Sequence, residues 1–136
     1  MTSIDSRRLK ILLVDDEPFI RSTIRQVLVL IGIPQANIYE AGDVKGAISE
    51  TLRMRPDLVL CDIHMPGGDG FAYLAALAKA PIPQVASIPV VMLTSDSGEE
   101  AVMTAKGHHV AGYLIKPVSV ATIKKAVERA LNTTLA

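Results

Sequence analysis

A chain of 136 residues, 49% hydrophobic and 21% charged, has the balance of one ordinary globular domain long enough to bury its own core. Its 14 basic and 14 acidic side chains cancel, so nothing in the charge points to nucleic acid or an anionic membrane as a partner. The N-terminal MTSIDSRRLK lacks an apolar signal core, and the longest aliphatic stretch, around 27–33, is far too short to span a bilayer. The expectation is a cytoplasmic protein without membrane insertion, a single domain over 1–136 with its core at about 9–131.

In chain order, the first strand is expected at Ile11–Val14 and is followed by Asp15-Asp16. Pro18 suits the first position of a helix whose apolar face is Ile20, Ile24, Val27, Leu28 and Ile31. A second strand at 37–41 ends in Ala41-Gly42, and Asp43 suits the N-cap of a helix carrying Val44, Ala47, Ile48 and Leu52 on one face. The third strand, 58–61, runs into Asp62 and the loop IHMPGGDG. Cys61 within it cannot form an internal disulfide and reads as a small buried hydrophobe. An alanine-rich helix at 71–80 gives way to an irregular PIPQVASIP segment, then a fourth strand at 90–93 followed by Thr94-Ser95. Ser97 and Glu100 fit a capping box for a fourth helix at 99–106 with a weak apolar face. A fifth strand at 113–115 leads to Lys116, and Ser119 suits the N-cap of a last helix with Val120, Ile123, Val127, Ala130 and Leu131 inward.

Apolar runs alternating with helical periods are the signature of successive βα units. The fold class expected is therefore α/β: a five-stranded parallel sheet, doubly wound, flavodoxin-like. Ligands of such sheets bind beyond the carboxyl ends of the strands, where strand order reverses. Four of the five expected strands are followed there by Asp15-Asp16, Asp62, Thr94-Ser95 and Lys116. The strand at 37–41 has no such residue and fits an edge away from the site.

Carboxylates gathered in one crevice repel one another, and Lys116 alone cannot neutralise them, whereas a divalent cation can. An all-oxygen set suits Mg²⁺. A carboxylate beside Mg²⁺, with a lysine and a hydroxyl at hand, is equipped to attack a phosphoryl group, and Asp62 is the candidate nucleophile, with Thr94 and Lys116 on the phosphoryl oxygens. The glycines of GGDG would let backbone approach that group closely. Each residue also has a plainer reading: Asp15-Asp16 as favourable charge at a helix start, Asp62 as a turn cap, Thr94 or Ser95 as a helix cap, Lys116 as a loop lysine. Their joint placement at the ends of the right strands argues for the site. His64, with no second histidine nearby except His108-His109, does not argue for a transition metal, and Met65, Met92 and Met103 read as core or loop fillers.

With ILLVDDEP, DLVLCDIHMPGGDG, PVVMLTS and GYLIKP in this order over about 9–131, the sequence resembles the receiver domain of bacterial two-component response regulators, of the stand-alone, chemotaxis-regulator-like kind. The resemblance implies strand order 2-1-3-4-5 and a signalling switch, rather than an enzyme, that catalyses only its own phosphoryl transfer and dephosphorylation. By it, Asp62 accepts a phosphoryl group from a histidine kinase or a histidine phosphotransfer protein. Asp15 and Asp16 bind Mg²⁺ with Asp62 and the main-chain carbonyl of His64. Thr94, Ser95 and Lys116 bind the phosphoryl group, and Tyr113 turns inward behind Thr94 as a switch. The Lys116-Pro117 bond is expected to be cis and to orient the lysine. A downstream protein would dock on the face of the fourth helix, fifth strand and fifth helix, with the protein a monomer or a phosphorylation-dependent dimer.

Three departures from that family's usual pattern stand out: Gly68 stands where MPGMDG has its second methionine, His64 and Asp96 occupy the positions that by the resemblance tune dephosphorylation, and His109-Val110 stands where a Gly-Ala pair is common. Only 132–136 follow the last helix, so the expected output is a protein contact: a flagellar motor component, a phosphorelay partner or a kinase. The alternatives are a Mg²⁺-dependent phosphohydrolase with an aspartyl nucleophile, a flavin binder of the same fold, and a docking module that is never phosphorylated. The adjacency of Asp15 and Asp16 and the absence of a Ser/Thr-rich phosphate loop after the first strand weigh against the first two.

Overall fold

The structure is a computed structural model describing residues 2–65, 69–94 and 110–135. The expected fourth helix at 99–106, its Ser97/Glu100 capping box, Met103 and the His108-His109 pair lie outside the described residues.

The central sheet holds β2 (Ile11–Val14), β3 (Ile38–Ala41), β4 (Leu58–Asp62), β5 (Val90–Thr94) and β6 (Gly112–Ile115), following the short β1 (Thr2–Ile4). The strands are parallel throughout, in the order β3-β2-β4-β5-β6, which is the expected 2-1-3-4-5 arrangement with β3 at one edge. Strand order reverses between β2 and β4, the point at which the acids gather.

The unbroken apolar runs are explained by the two faces they serve. In β2, Ile11 and Leu13 pack in one core with Ile24 and Leu28 of α1 (Pro18–Leu30), while Leu12 and Val14 pack in the other with Ala47 of α2 (Val44–Met54). The second core also holds Tyr73, Leu74 and Leu77 of α3 (Gly70–Ala78) and Val85 of the one-turn α4 (Pro83–Ala86). The first takes Ile123 and Val127 of α5 (Val120–Leu131). Helices thus cover both sides of the sheet, and strands between them need apolar side chains at every position.

Helix starts follow their local chemistry. Pro18 opens α1, the Asp43 carboxylate accepts from the Gly46 N–H at 2.6 Å, and Ser119 and Thr122 form a reciprocal capping box at α5. Asp69, expected as loop, is the N-cap of α3, accepting from the Ala72 N–H at 3.1 Å.

Several expectations need correction. Leu52 is 46% exposed and Thr51 is buried in its place: its hydroxyl bonds the Ala47 carbonyl at 2.7 Å and the Tyr73 phenol at 2.8 Å, so the polar residue is satisfied inside. Val120, in the first turn of α5, is 42% exposed. The segment read as irregular contains α4, and 133–135, read as a remnant, forms β7 (Thr133–Leu135), paired in parallel with β1.

Candidate functional site

The site is built from the carboxyl ends of β2, β4, β5 and β6. Asp62 and Thr94 are the last residues of β4 and β5, where loop positions were expected, and pair in register with Leu93 and Ile115 of the neighbouring strands. Asp15, Asp62 and Thr94 are buried, and Asp16 is half-buried. One carboxylate oxygen each from Asp15, Asp16 and Asp62 lie within 4.8 Å of one another. Lys116 Nζ reaches across to Asp15 Oδ2 at 3.3 Å and Asp62 Oδ1 at 3.4 Å. The Lys116-Pro117 peptide is cis, as expected. Lys116 is tied to β5 by its N–H, which donates to the Thr94 carbonyl at 2.7 Å.

The titration behaviour reflects this crowding. Burial, followed by the charge on Asp15, pushes the Asp62 carboxyl above the ordinary aspartate value, against the pull of Lys116 and a hydrogen bond from the His64 N–H. Burial alone would lower the Lys116 ammonium. The two carboxylates beside it outweigh that effect and hold it above the usual lysine value. Hard oxygen donors this close together fit a divalent cation.

Around the acids, the remaining residues fall as follows. Asp15 Oδ1 accepts from the Glu17 N–H at 2.9 Å, closing the turn into α1. His64 is exposed and presents its N–H to Asp62. Tyr113 is half-buried in β6 opposite Met92, and so shares a sheet face with Thr94 two residues along β5. Ser95, Gly67, Gly68, Asp96 and His109 lie outside the described residues. Gly70, the last glycine of the loop motif, approaches protein main chain: a Cβ there would stand 2.7 Å from the Asp62 carbonyl oxygen. Its smallness lets α3 start directly against β4, with its N–H on the Ile63 carbonyl at 2.8 Å. Cys61 points into the core, and its thiol is pushed far above the usual value, first by burial and then by the nearby aspartates.

A charged network that no sequence motif announces lies on the β3 side of the pocket. Arg21 donates to the main-chain carbonyl of Asp15 and to Glu40, and Glu40 also accepts from Arg25 at 2.7 Å. One signal was available: Glu40 is a lone charge in a short strand, and arginines at 21 and 25 share one side of a helix next to it.

Residues 11–128 match the family of the response regulator receiver domain. The chain is 30% identical over 129 residues to chemotaxis protein CheY-3 of Vibrio cholerae, covering 95% of this chain and 96% of that protein. It is 31% identical over 124 residues to the glycerol metabolism activator of Pseudomonas putida, covering 90% of this chain but only 54% of that one. The solved structure of the Vibrio cholerae chemotaxis protein CheY4 superposes with a TM-score of 0.80 at 28% identity, over 90% of this chain and 98% of that one.

Proposed function

The chain belongs to the response regulator receiver domain family, a signalling module of two-component systems, and from that premise we propose that Asp62 is its phosphoacceptor. The donor in this reading is a histidine kinase or a histidine phosphotransfer protein, and the cation is Mg²⁺, held by Asp15, Asp16, Asp62 and the main-chain carbonyl of His64. The observation that carries it is the meeting of Asp15, Asp16 and Asp62 with Lys116 at the point where strand order reverses.

An Asp62 carboxylate oxygen attacks phosphorus; an O–P bond forms as the donor's N–P bond breaks, and the electron pair stays on the imidazole nitrogen, which takes its proton from water. Mg²⁺, when bound, supplies charge stabilisation to the equatorial phosphoryl oxygens and offsets repulsion among the acids. Lys116 already spans Asp15 and Asp62 and needs only to shift its ammonium to a phosphoryl oxygen. Thr94 offers its hydroxyl from the end of β5, with Ser95 following. Asp62 is held at the end of a buried strand and cannot move far, so the phosphoryl group comes to lie where Thr94 and Lys116 can close on it.

The new charge then biases an equilibrium between two arrangements of Thr94 and Tyr113, with roughly 5.5 kcal/mol of differential contact needed for a 1:99 to 99:1 reversal. Self-phosphorylation and its reversal are the whole of the catalysis in this reading, carried out in the cytoplasm. No helix among the described residues is long and apolar enough to cross a membrane. In this reading the downstream protein docks on the face of β6, α5 and residues 99–106; the exposure of Ile115 and Val120 supports it on the described part of that face.

The test is to locate the modification. After incubation with Mg²⁺ and acetyl phosphate, borohydride reduction followed by peptide mapping should convert Asp62 alone, as an acyl phosphate there requires. Conversion of Asp15 or Asp16, or a phosphate stable to hydroxylamine, would overturn the assignment.

A further inference from the structure

Arg21 lies one turn into α1, on the side of the acidic pocket away from Lys116. Its Nη1 donates to the main-chain carbonyl of Asp15, and its Nε donates to Glu40 Oε1 at 2.9 Å. Glu40 is fixed in turn: Oε2 accepts from Arg25 Nε at 2.7 Å, and Arg25 is anchored on the main-chain carbonyls of Gln35 and Ile38 at 3.2 and 2.8 Å. The Arg21 side chain is only 18% exposed. Gly42 leaves it room, because a Cβ there would stand 3.3 Å from Nη1 and 4.0 Å from the Asp15 carbonyl oxygen.

With that contact every polar atom of Asp15 is engaged. Its N–H donates to the Ala41 carbonyl at 3.1 Å, Oδ1 accepts from the Glu17 N–H at 2.9 Å, Oδ2 from Lys116 at 3.3 Å, and the carbonyl from Arg21. The carbonyl matters most for the neighbouring acid. It belongs to the planar peptide joining Asp15 to Asp16, so fixing its direction fixes the plane from which the Asp16 side chain departs. Asp16 is the least buried of the three acids.

We propose that Arg21 is a positioning residue of the acidic pocket: clamped by Glu40 on the edge strand, its guanidinium fixes the Asp15-Asp16 peptide and so holds the two carboxylates at the spacing a divalent cation requires. This role presupposes, with the function proposed above, that the pocket takes Mg²⁺. It makes β3, the one strand of the central sheet that sends no residue into the site, its outer support.

The sign of the effect separates positioning from charge. Arg21 is a cation next to a cation site, so if it acted only through its field, removing it would tighten Mg²⁺ binding. If it only braced the fold, removal would lower the melting temperature and leave metal affinity alone. Loss of positioning weakens binding, and partners that orient metal-binding carboxylates typically contribute 10–100-fold to affinity.

The experiment is calorimetric titration of the full chain with MgCl₂, with thermal unfolding in EDTA recorded alongside. Wild type, Arg21→Met, Arg21→Lys, Glu40→Gln and Arg25→Met are compared. Arg21→Met should raise the Mg²⁺ Kd about tenfold. Arg21→Lys should recover part of this, since one ammonium cannot present the two-pronged fork that joins the Asp15 carbonyl to Glu40. Glu40→Gln should show a smaller loss, and Arg25→Met, which acts on Glu40 but does not touch Asp15, a loss no larger than that of Glu40→Gln. Unchanged or tighter binding in Arg21→Met would overturn the proposal, as would an equal loss in Arg25→Met. If Arg21→Met does not fold, Arg21→Lys and Glu40→Gln decide, and wild-type affinity in both would overturn it. Failure of the wild type itself to bind Mg²⁺ would appear before any variant is compared and would remove the function proposed above, and this role with it.

Discussion

Replacing Lys116 with methionine keeps the length and apolar stem of the side chain and removes the ammonium that spans Asp15 and Asp62 at 3.3 and 3.4 Å. At an effective dielectric constant of about 20, each contact is worth roughly 5 kcal/mol of gross attraction, most of it offset by desolvation of the three groups. The lysine side chain retains 20% of its exposure, between the regime of exposed pairs and that of fully buried ones. Its net loss therefore lies between the roughly 0–1 kcal/mol of the first and the 3–5 kcal/mol of the second, at about 2 kcal/mol. For a chain of this size, that lowers the melting temperature by about 6 °C in EDTA. Mg²⁺ reverses the effect, because it supplies the missing charge and no longer competes with the ammonium for the same oxygens. A metal concentration of about 100 times Kd stabilises by roughly 2.7 kcal/mol, and Lys116→Met, expected to bind metal more tightly than wild type, gains more from a given concentration. Urea unfolding in EDTA and in millimolar MgCl₂ reads both quantities. A destabilisation of the same size in the two conditions would refute the view that lysine and cation neutralise one set of carboxylates.

Three further outcomes are expected. Gly70→Ala places a Cβ 2.7 Å from the Asp62 carbonyl oxygen, which is fixed main chain, so α3 or the end of β4 has to shift. The cost is about 1–3 kcal/mol by denaturant unfolding, with slower phosphorylation because Asp62 moves too. The Cys61 thiol, buried and with its pKa raised by burial and neighbouring aspartates, resists alkylation by iodoacetamide in the native protein and reacts once urea unfolds it. Burial alone would raise Glu40, but hydrogen bonds from Arg25 and then Arg21 hold it below its ordinary value of 4.5. A lowered folded value means that stability from this group is present above 4.5 and is lost as pH falls through the folded value. Unfolding free energy should therefore fall more steeply on acidification below 4.5 in wild type than in Glu40→Gln, and parallel curves would contradict the pairing.

The parallel sheet and the acidic pocket are legible because each rests on a pattern the chain repeats, an apolar run, then chemistry, then a helical period, whereas the strand order follows from the family resemblance. The features that escaped depend on contacts between distant segments. Thr51 is absent from the apolar face expected for α2, and its burial depends on a partner distant in sequence, the Tyr73 phenol 22 residues on, together with the Ala47 carbonyl one turn back. The strand at 133–135 has no apolar alternation to announce it; it forms because Thr2–Ile4 lies alongside, with the Leu135 N–H on Glu128 at 2.9 Å. Asp62 and Thr94 were read as loop residues because charge and hydroxyl interrupt an apolar run, yet pairing of Asp62 with Leu93 and of Thr94 with Ile115 carries each strand one residue further. The Arg21 contact with Asp15 is to a carbonyl, which no side-chain pattern encodes.

The central claim is that Asp62 takes a phosphoryl group in a reaction that needs the metal pocket. Intact-mass analysis of the protein after incubation with acetyl phosphate and Mg²⁺ tests it most directly, run beside Asp62→Asn and an EDTA control. One phosphoryl adduct is expected on the wild type, lost in both controls. An adduct that persists in Asp62→Asn or in EDTA would contradict it.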